Sequence, residues 1–323
     1  MKHSNVLVVG GSGFIGRHLV ASLAAAGLGV TVPSRRRERA KHLILLPTVD
    51  VVQADIMAPG VLDRLCAGKD AVYNLVGILH GRRGRGDERG PNDYGPDFAR
   101  MHVELPQAIV AACRANGVRR LLHISALGAT PDAPSEYLRS KSIGERALLA
   151  ADDLDVTVFR PSVVFGPEDT FLNRFAAFTR WLPLFAVPCP EAMFQPVYVG
   201  DVARALHFAL DEPDAPGKVY ELCGPHAFTM KELVEFVCAV TGRRRIIVGL
   251  PERLSYMQAW TLEHLPGKLM TRDNLRSMQV PSTCSTPFPF QFQPQAPEAV
   301  APAYLAPTGR SERYPQLRWR ARR

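Results

Sequence analysis

Three residue types that together can protonate a carbonyl compound occur close together in the middle of the chain. Tyr137 and Lys141 are four residues apart, so a helix would place both on one face, and Ser125 precedes Tyr137 by twelve residues. Reduction of a carbonyl by hydride leaves an alkoxide that needs a proton, and a tyrosine supplies it when a nearby ammonium lowers its pKa. Ser125 would hold the carbonyl oxygen. We therefore predict Ser125, Tyr137 and Lys141 as catalytic residues; the alternative is a half-buried surface tyrosine beside a solvated lysine.

The N-terminal segment offers a place for a hydride donor. The apolar run Asn5-Val6-Leu7-Val8-Val9 predicts a buried strand, and a helical pattern begins a few residues later. The glycine turn between them would let backbone N–H groups approach a pyrophosphate at the helix N-terminus. Its predicted cofactor contacts are Gly10, Gly13, Phe14, Ile15 and Gly16. The alternative is a structural glycine turn of some other α/β protein.

The end of the second predicted strand indicates which dinucleotide binds. NAD-binding proteins usually place Asp or Glu here for the ribose 2′-hydroxyl, whereas this strand runs into Ser34 and Arg35. A guanidinium binds a 2′-phosphate with charge-assisted hydrogen bonds, and a carboxylate would repel it. We therefore predict that NADP(H) is favoured over NAD(H), with Ser34 and Arg35 at the phosphate. For Arg36 and Arg37, a solvated helix start is an equally good interpretation.

Two later strand ends add to the predicted cofactor site. Asp55 and Ile56 follow the third predicted strand, where Asp55 would either reach the adenine amino group or cap a helix. Val76 and Gly77 end the fourth predicted strand beside the pyrophosphate. The catalytic residues also expected to touch the cofactor are Tyr137 and Lys141.

Strand and helix patterns alternate through the first half of the chain, which predicts an α/β fold with a doubly wound parallel sheet of the Rossmann type. A glycine-rich segment at 80–97 is expected to be a mobile loop at the carboxyl edge of this sheet. The predicted domains are a dinucleotide-binding domain at 1–165, with its sheet completed by about 195–210, a smaller mixed substrate or partner region at 166–280, and an extended, proline-rich basic tail at 281–323.

Composition and charge narrow the class of protein. Hydrophobic residues make up 46% and charged residues 22% of the chain, as in globular proteins, and no apolar run approaches the ~20 residues that span a bilayer. Six scattered cysteines without a Cys-x-x-Cys pair predict reduced thiols in the cytoplasm, and no metal-ligand spacing is present. The net charge of +8 includes a basic end at 318–323 that would touch an anionic surface or simply aid solubility. No nucleic-acid motif accompanies it, so no nucleic-acid partner is predicted.

The glycine pattern and the set of Ser125, Tyr137 and Lys141 resemble an atypical, extended-type short-chain dehydrogenase/reductase. Within that superfamily the chain is especially similar to the NADPH-binding accessory subunit of the alpha subcomplex of respiratory complex I and its bacterial relatives. Arg160-Pro161 adds to the likeness to the superfamily, and the segments that carry the likeness to the complex I subunit include Gly144-Glu145, Gln195-Pro196-Val197-Tyr198-Val199 and Thr271-Arg272-Asp273. The resemblance implies an arginine at the 2′-phosphate and NADPH held as a structural cofactor. The further cofactor contacts expected with it are Pro161 and Val164.

Three functions fit these observations. The first is an NADP(H)-dependent oxidoreductase acting on an apolar carbonyl or quinone-like substrate. The second is a non-catalytic NADPH-binding accessory or assembly protein, peripheral to the inner membrane, that contacts a respiratory complex or the membrane surface. The aromatic residues at 171–187 would serve either function, unless they pack in the core. The third is a sugar-nucleotide epimerase or dehydratase, whose diphosphate-binding candidates are Arg174, Arg180 and Arg243.

Overall fold

The structure is a computed structural model that describes residues 2–82, 84, 90, 92–265 and 269–306. Its first half alternates strands and helices in the predicted order. The strands are β1 (Asn5–Val9), β2 (Gly29–Ser34), β3 (Val49–Gln53), β4 (Ala71–Asn74), β5 (Arg120–Ile124) and β6 (Asp155–Pro161). The helices are α1 (Phe14–Ala25), α2 (Lys41–Ile44), α3 (Val61–Cys66), α4 (Pro96–Phe98), α5 (Leu105–Ala115) and α6 (Glu136–Leu149), and a π-helical segment (Ala99–Glu104) joins α4 to α5.

The second half combines longer helices with very short strands. Its strands are β7 (Val164–Phe165), β8 (Leu184–Val187), β9 (Met193–Phe194), β10 (Val197–Tyr198), β11 (Val219–Leu222), β12 (Phe228–Thr229) and β13 (Ile246–Gly249). Its helices are α7 (Leu172–Trp181), α8 (Val199–Phe208), α9 (Met230–Val240), α10 (Glu252–His264), α11 (Arg272–Ser277), α12 (Pro297–Val300) and α13 (Pro302–Leu305).

Seven strands form one parallel sheet in the order β11-β6-β5-β4-β1-β2-β3. This confirms the predicted doubly wound fold. The order reverses between β1 and β4, whose last residues, Val9 and Asn74, are register partners. In such sheets ligands bind outside the carboxyl ends of the strands at this reversal point.

The sheet is covered on both faces, and β1 shows why its sequence is an unbroken apolar run. Val6 and Val8 pack in a cluster with residues of α1 and α8, whereas Leu7 and Val9 pack on the opposite face with residues of α3 and α5. All four side chains are fully buried. Alternate residues of a strand point to opposite faces, so a strand buried on both sides needs apolar residues at every position.

The prediction that residues 195–210 complete the sheet is wrong. β10 pairs with β7 in a separate two-stranded sheet, and α8 follows it directly. The seventh strand of the main sheet is β11, which pairs with β6. β11 lies at the edge of the sheet, and its residue Val219 is exposed. An edge strand does not need a continuous apolar run, so its sequence carries little signal.

The described part of the proline-rich segment, residues 281–306, returns along the body of the protein. Ser282 accepts hydrogen bonds from the Gln195 backbone N–H (2.9 Å) and from the Ser162 hydroxyl (2.7 Å). Phe290 and Phe292 pack against Phe208, with ring centroids 4.9 and 5.2 Å apart. The basic end at 318–323 and part of the 80–97 segment lie outside the described residues.

One cysteine pair corrects the prediction of reduced thiols. Cys284 forms a disulfide with Cys223, which directly follows β11. The two residues are 61 positions apart in the chain, and only the return of the proline-rich segment brings them together. Cys66 and Cys113 are buried free cysteines. The prediction therefore fails for one pair because its spacing shows no local pattern.

Candidate functional site

The glycine turn joins β1 to α1 at the reversal point of the sheet. Gly10 has φ +88°, a conformation that L side chains rarely adopt, and a Cβ there would lie 3.0 Å from the Leu75 carbonyl carbon. The Gly13 N–H donates to the Gly10 carbonyl at 2.9 Å and closes the turn. The turn therefore runs directly beside the end of β4, in the crevice where a ligand is expected.

Gly13 and Gly16 have different constraints. A Cβ on Gly16 would overlap the Gly10 carbonyl oxygen and the Gly11 backbone, so Gly16 allows α1 to pack against the turn. A Cβ on Gly13 would meet only the Gly10 oxygen, at 3.1 Å. Gly13 is the N-cap residue of α1, and Phe14 and Ile15 begin the helix, where backbone N–H groups have no intrahelical acceptor. The protein itself leaves room at Gly13 for a group approaching from outside.

The end of β2 presents Ser34 and Arg35 differently. Ser34 is buried, and its hydroxyl donates to the Arg36 carbonyl at 2.9 Å. Arg35 is exposed, as are Arg36 and Arg37. Arg36 and Arg37 lie at the start of a short 3₁₀ turn, as the second interpretation of these arginines suggested. Arg35 thus remains the cationic side chain at the strand end itself.

Asp55 follows β3, but it does not cap a helix. It is exposed, and its carboxylate accepts the Met57 backbone N–H at 3.1 Å. The next helix, α3, has Gly60 as its N-cap residue, so the capping interpretation of Asp55 is wrong. Ile56 packs at the edge of the apolar cluster beneath the sheet. Asp55 and Ile56 follow β3, which is parallel to β2, so they lie at the same carboxyl edge of the sheet as the glycine turn.

Lys141 links the ends of β4 and β5. Its ammonium donates to the carbonyls of Val76, at 3.2 Å, and Ile124, at 3.0 Å. A Cβ on Gly77 would lie 3.2 Å from the Lys141 nitrogen, so the chain passes close above it. Burial lowers the pKa of Lys141 to about 8, although the Glu145 carboxylate partly opposes this. The structure therefore brings Val76, Gly77 and Lys141 together beside the reversal point.

Glu145 is itself buried and lies one helical turn after Lys141. Its carboxylate accepts hydrogen bonds from the Arg160 guanidinium, the Nε donating at 3.0 and 3.1 Å. This pairing raises the pKa of Arg160. The ion pair joins α6 to β6 and keeps the lysine-bearing helix against the sheet.

Tyr137 lies four residues before Lys141 on α6 and is half-buried. Its ring contacts Phe98 and His102 in edge-on arrangements, with centroids 6.4 and 5.6 Å apart. Burial raises the pKa of Tyr137 to about 12. This direction is opposite to the lowering predicted from the Lys141 ammonium, because burial of the hydroxyl disfavours the charged phenolate.

Ser125 directly follows β5 and is buried. Its backbone N–H donates to the Phe159 carbonyl at 2.7 Å, but its hydroxyl has no hydrogen-bond partner among the described residues. A buried hydroxyl without a partner costs free energy and is typical of a site that receives a ligand group. Pro161 ends β6, and Val164 begins β7 nearby in the chain.

Two buried histidines near Lys141 were not identified from the sequence. His102 accepts the Ile78 backbone N–H at 3.0 Å through Nε2, and its Nδ1 lies 2.8 Å from the Ser140 hydroxyl. Burial, with the Lys141 ammonium as a second cause, lowers the pKa values of His102 and His123 well below the ordinary value. Both rings are therefore neutral at physiological pH. The sequence could have identified His123 as a site residue, because it lies in β5 only two residues before Ser125.

Asp273, from α11, was also missed as a site residue. Its carboxylate accepts the backbone N–H groups of Glu136, at 2.8 Å, and Tyr137, at 3.1 Å, at the start of α6. Ser135 caps the same helix by accepting the Leu138 N–H. Asp273 thus attaches the second half of the protein to the turn that bears Tyr137. Its only signal was its place in the Thr271-Arg272-Asp273 segment.

A small cavity lies beside this helix start, with a volume of about 90 Å³. Its lining includes Leu79, Phe98, Glu136, Thr271 and Asp273. Because Phe98 also contacts the Tyr137 ring, the cavity adjoins the predicted catalytic residues. Its wall combines apolar side chains with three carboxylates, those of Glu136, Glu263 and Asp273, and with the Arg82 side chain.

The aromatic stretch at 171–187 packs mainly in the core, as the alternative interpretation proposed. Phe171, Phe175 and Phe178 join the apolar cluster of the second half, whereas Trp181 is exposed. The arginines considered for a sugar diphosphate are differently placed. Arg174 donates to the Leu269 carbonyl at 3.3 Å and Arg243 to the Ala176 carbonyl at 2.5 Å, while Arg180 is exposed.

Within 2–82, 84, 90, 92–265 and 269–306, no three His, Cys, Asp or Glu side chains are grouped so as to hold a metal ion. In those same ranges, every helix is too short or too polar to pass through a bilayer.

A doubly wound sheet with a glycine turn at its reversal point defines a dinucleotide-binding domain of the Rossmann type. The chain belongs to the NAD dependent epimerase/dehydratase family, a short-chain dehydrogenase/reductase type of domain, and the family model matches residues 6–223. This confirms the resemblance drawn from the motifs.

Two relatives and one solved structure illustrate what the chain is similar to. NADH dehydrogenase (ubiquinone) 1 alpha subcomplex subunit 9 of Mus musculus is 33% identical over 252 residues, which cover 76% of this chain and 63% of that protein. A ceramide reductase of Caulobacter vibrioides is 31% identical over 252 residues, or 76% of this chain and 74% of that protein. The epimerase Mth375 of Methanothermobacter thermautotrophicus has a TM-score of 0.69 at 17% identity, covering 99% of this chain and 94% of that one, and shows the shared fold. The chain thus spans less than two thirds of the mouse subunit.

Proposed function

We propose that this protein binds NADP(H) and reduces an apolar carbonyl or quinone-like substrate. The observation that carries the proposal is the position of Lys141 and Ser125. The Lys141 ammonium lies between the ends of β4 and β5, and Ser125, with its buried hydroxyl lacking a partner, directly follows β5. Tyr137 is on the same helix as Lys141, one turn earlier. The family and its reductase members support this reading.

The residues present fit a dinucleotide phosphate. The Gly10 to Gly16 turn keeps free the space beside Gly13 that a side chain would fill, and α1 begins there with N–H groups that lack an acceptor within the helix. Arg35 is an exposed guanidinium at the end of β2, where the 2′-phosphate of NADP(H) would lie. When bound, the reduced nicotinamide supplies the hydride.

The three side chains have distinct roles in this proposal. Ser125 donates its hydrogen bond to the substrate oxygen, on which negative charge develops. Tyr137 gives its proton to that oxygen, and its pKa of about 12 means that it carries the proton at neutral pH. Lys141 holds the ribose and, when charged, stabilises the phenolate that remains.

The test is Tyr137→Phe, assayed by NADPH consumption with panels of quinones and of long-chain aldehydes and ketones. We expect turnover to fall by about two to four orders of magnitude, as for a lost general acid, with cofactor affinity nearly unchanged. The matched control is Tyr220→Phe, because Tyr220 is half-buried against Phe290, on the far edge strand. No NADPH consumption by the unsubstituted protein on either panel would refute the enzymatic function.

A second candidate is a non-catalytic accessory protein that holds NADPH and contacts a respiratory complex, peripheral to the membrane in the cytoplasm. It is favoured by the similarity to the mouse complex I subunit and by the Lys141 ammonium, whose two carbonyl partners already satisfy it structurally. On this function, Tyr137→Phe complements a deletion strain fully, whereas Gly13→Val does not because it empties the site. Co-purified NADPH that does not exchange with added cofactor would support this candidate over the enzyme.

A further inference from the structure

We propose that one side of the second half of the protein docks on an anionic lipid bilayer. This surface, the apolar face, comprises Trp181, Leu184, Ile246, Val248, Met257 and Trp260. The exposed fractions are 78% for Trp181, 65% for Ile246 and 58% for Met257, high values for large apolar side chains. Scattered exposed apolar residues are ordinary, but a group on adjacent elements indicates an interaction surface. The proposal goes beyond the reduction proposed above and does not depend on it.

The β8–β13 pair forms the centre of the apolar face. Leu184 and Ile246 are register partners on neighbouring parallel strands, so their side chains stand side by side. Val248 is two residues after Ile246 and points to the same side. The opposite side of β8 carries Phe185 and Val187, both buried in the core of the second half. The pair therefore has an apolar inner side that is covered and an apolar outer side that is exposed.

Helix α10 extends this face from the other edge of β8. The Gln258 side chain donates to the Ala186 carbonyl of β8 at 3.3 Å, so the helix lies along that strand. Ser255 and Ala259 are buried and mark the inner side of α10. Met257 and Trp260 are three residues apart on its outer side, where both are exposed. Trp181, the last residue of α7, lies three residues before Leu184 of β8 and completes the apolar face.

Three exposed arginines adjoin the apolar face, against one exposed carboxylate, Glu252, at the start of α10. The Arg180 guanidinium lies over the Trp181 ring, 5.4 Å from its centroid, and Arg244 and Arg253 are exposed beside β13 and on α10. Arg272 forms an ion pair with Glu263 at 3.0 Å, which neutralises the acidic residue near the end of α10. Exposed arginines beside tryptophans and aliphatic side chains match the chemistry of an anionic lipid surface, with charge at the headgroups and apolar contact below them.

The same charges argue against a second copy of this chain as the occupant. A two-fold symmetric dimer places one patch against itself, so it would bring the arginines of both copies, Arg180, Arg244 and Arg253, into one interface. An anionic bilayer instead meets all of them with opposite charge. Charge complementarity thus selects the bilayer.

The experiment is co-sedimentation of the full chain with sucrose-loaded vesicles of phosphatidylcholine alone or mixed with phosphatidylglycerol. We expect binding to the mixed vesicles at low salt, weak binding to phosphatidylcholine, and release at 1 M salt as the charges are screened. Arg244→Ser and Arg253→Ser should each weaken the partitioning of the protein onto mixed vesicles about fivefold. The double variant Ile246→Ser, Met257→Ser should weaken it at least tenfold.

Matched controls use exposed residues elsewhere on the protein. Leu45→Ser, after α2, and Arg64→Ser, on α3, should leave vesicle binding unchanged. NADPH titration and circular dichroism of each variant separate this proposal from the cofactor site and from misfolding. Binding to mixed vesicles that survives the Ile246→Ser, Met257→Ser substitutions would place the membrane contact elsewhere and overturn the proposal. A concentration-dependent dimer that these substitutions abolish, without vesicle binding, would assign the face to a second copy.

Discussion

Lys141→Met tests directly whether the buried ammonium beside β4 and β5 has the environment described. Methionine keeps an unbranched apolar stem as long as the carbon chain of lysine but lacks the ammonium and cannot titrate. Lys141 is buried, and its pKa is lowered from 10.5 to about 8, mainly by burial. The folded protein therefore binds fewer protons than the unfolded chain between pH 8 and pH 10.5. By linkage, the stability of the unsubstituted protein rises with pH through that window relative to the variant.

The size of the effect follows from the two pKa values. At pH 7 the charged lysine costs the folded state about 3 kcal/mol relative to a solvated one, and at pH 10 about 1 kcal/mol. Between pH 7 and pH 10, the free energy of unfolding of the unsubstituted protein should therefore rise by about 2 kcal/mol relative to that of the Lys141→Met variant. Tyr137, His102 and His123 are present in both proteins, so their own titration largely cancels in the difference between the two. The variant also loses the hydrogen bonds to Val76 and Ile124. Their loss shifts the stability difference by a similar amount at every pH, so it leaves most of the pH dependence unchanged.

The assay is urea unfolding of both proteins at pH 7, 8, 9 and 10 without cofactor, followed by circular dichroism. Lys218→Met, at an exposed lysine before β11, is the control and should show a constant difference from the unsubstituted protein. A Lys141→Met difference that is equally flat would mean that Lys141 titrates as in the unfolded chain. The burial argument, and with it the proposed role of Lys141, would then be refuted.

Other predictions concern the cofactor site and the returning segment. NADP(H) should bind at least tenfold more tightly than NAD(H), and Arg35→Asp should remove most of that preference, about 1.5–3 kcal/mol, in titration calorimetry. Gly13→Val should abolish cofactor binding by a protein that stays folded, whereas Gly16→Ala should lower the thermal midpoint because its Cβ overlaps the turn. Equal affinities for the two cofactors, or unchanged binding by Gly13→Val, would contradict these roles. Cys284→Ser opens a cross-link across 61 residues and should cost up to about 4 kcal/mol, seen as a lower thermal midpoint that reductant reproduces in the unsubstituted protein.

Much of the fold could be predicted because its signals are local. The apolar run of β1, the glycine turn and the helical spacing of Tyr137 and Lys141 each lie within a few residues. Parallel strands buried on both faces have continuous apolar runs, so β1 to β6 were found in order. The edge strand β11 and the pairing of β10 with β7 were missed, because short or half-exposed strands lack that run.

The chain by itself determined which residues stand at the carboxyl edge of the sheet, since motif spacing and strand order suffice to place the glycine turn, Arg35, Ser125 and Lys141 there. Only the tertiary structure decided what surrounds them. Burial against neighbouring rings raises the pKa of Tyr137, where sequence reasoning predicted that Lys141 would lower it. The hydrogen bonds from the start of α6 to Asp273, the disulfide and the apolar face all depend on segments far apart in the chain. Desolvation and long-range contacts depend on the packed chain as a whole, and no local pattern of residues encodes them.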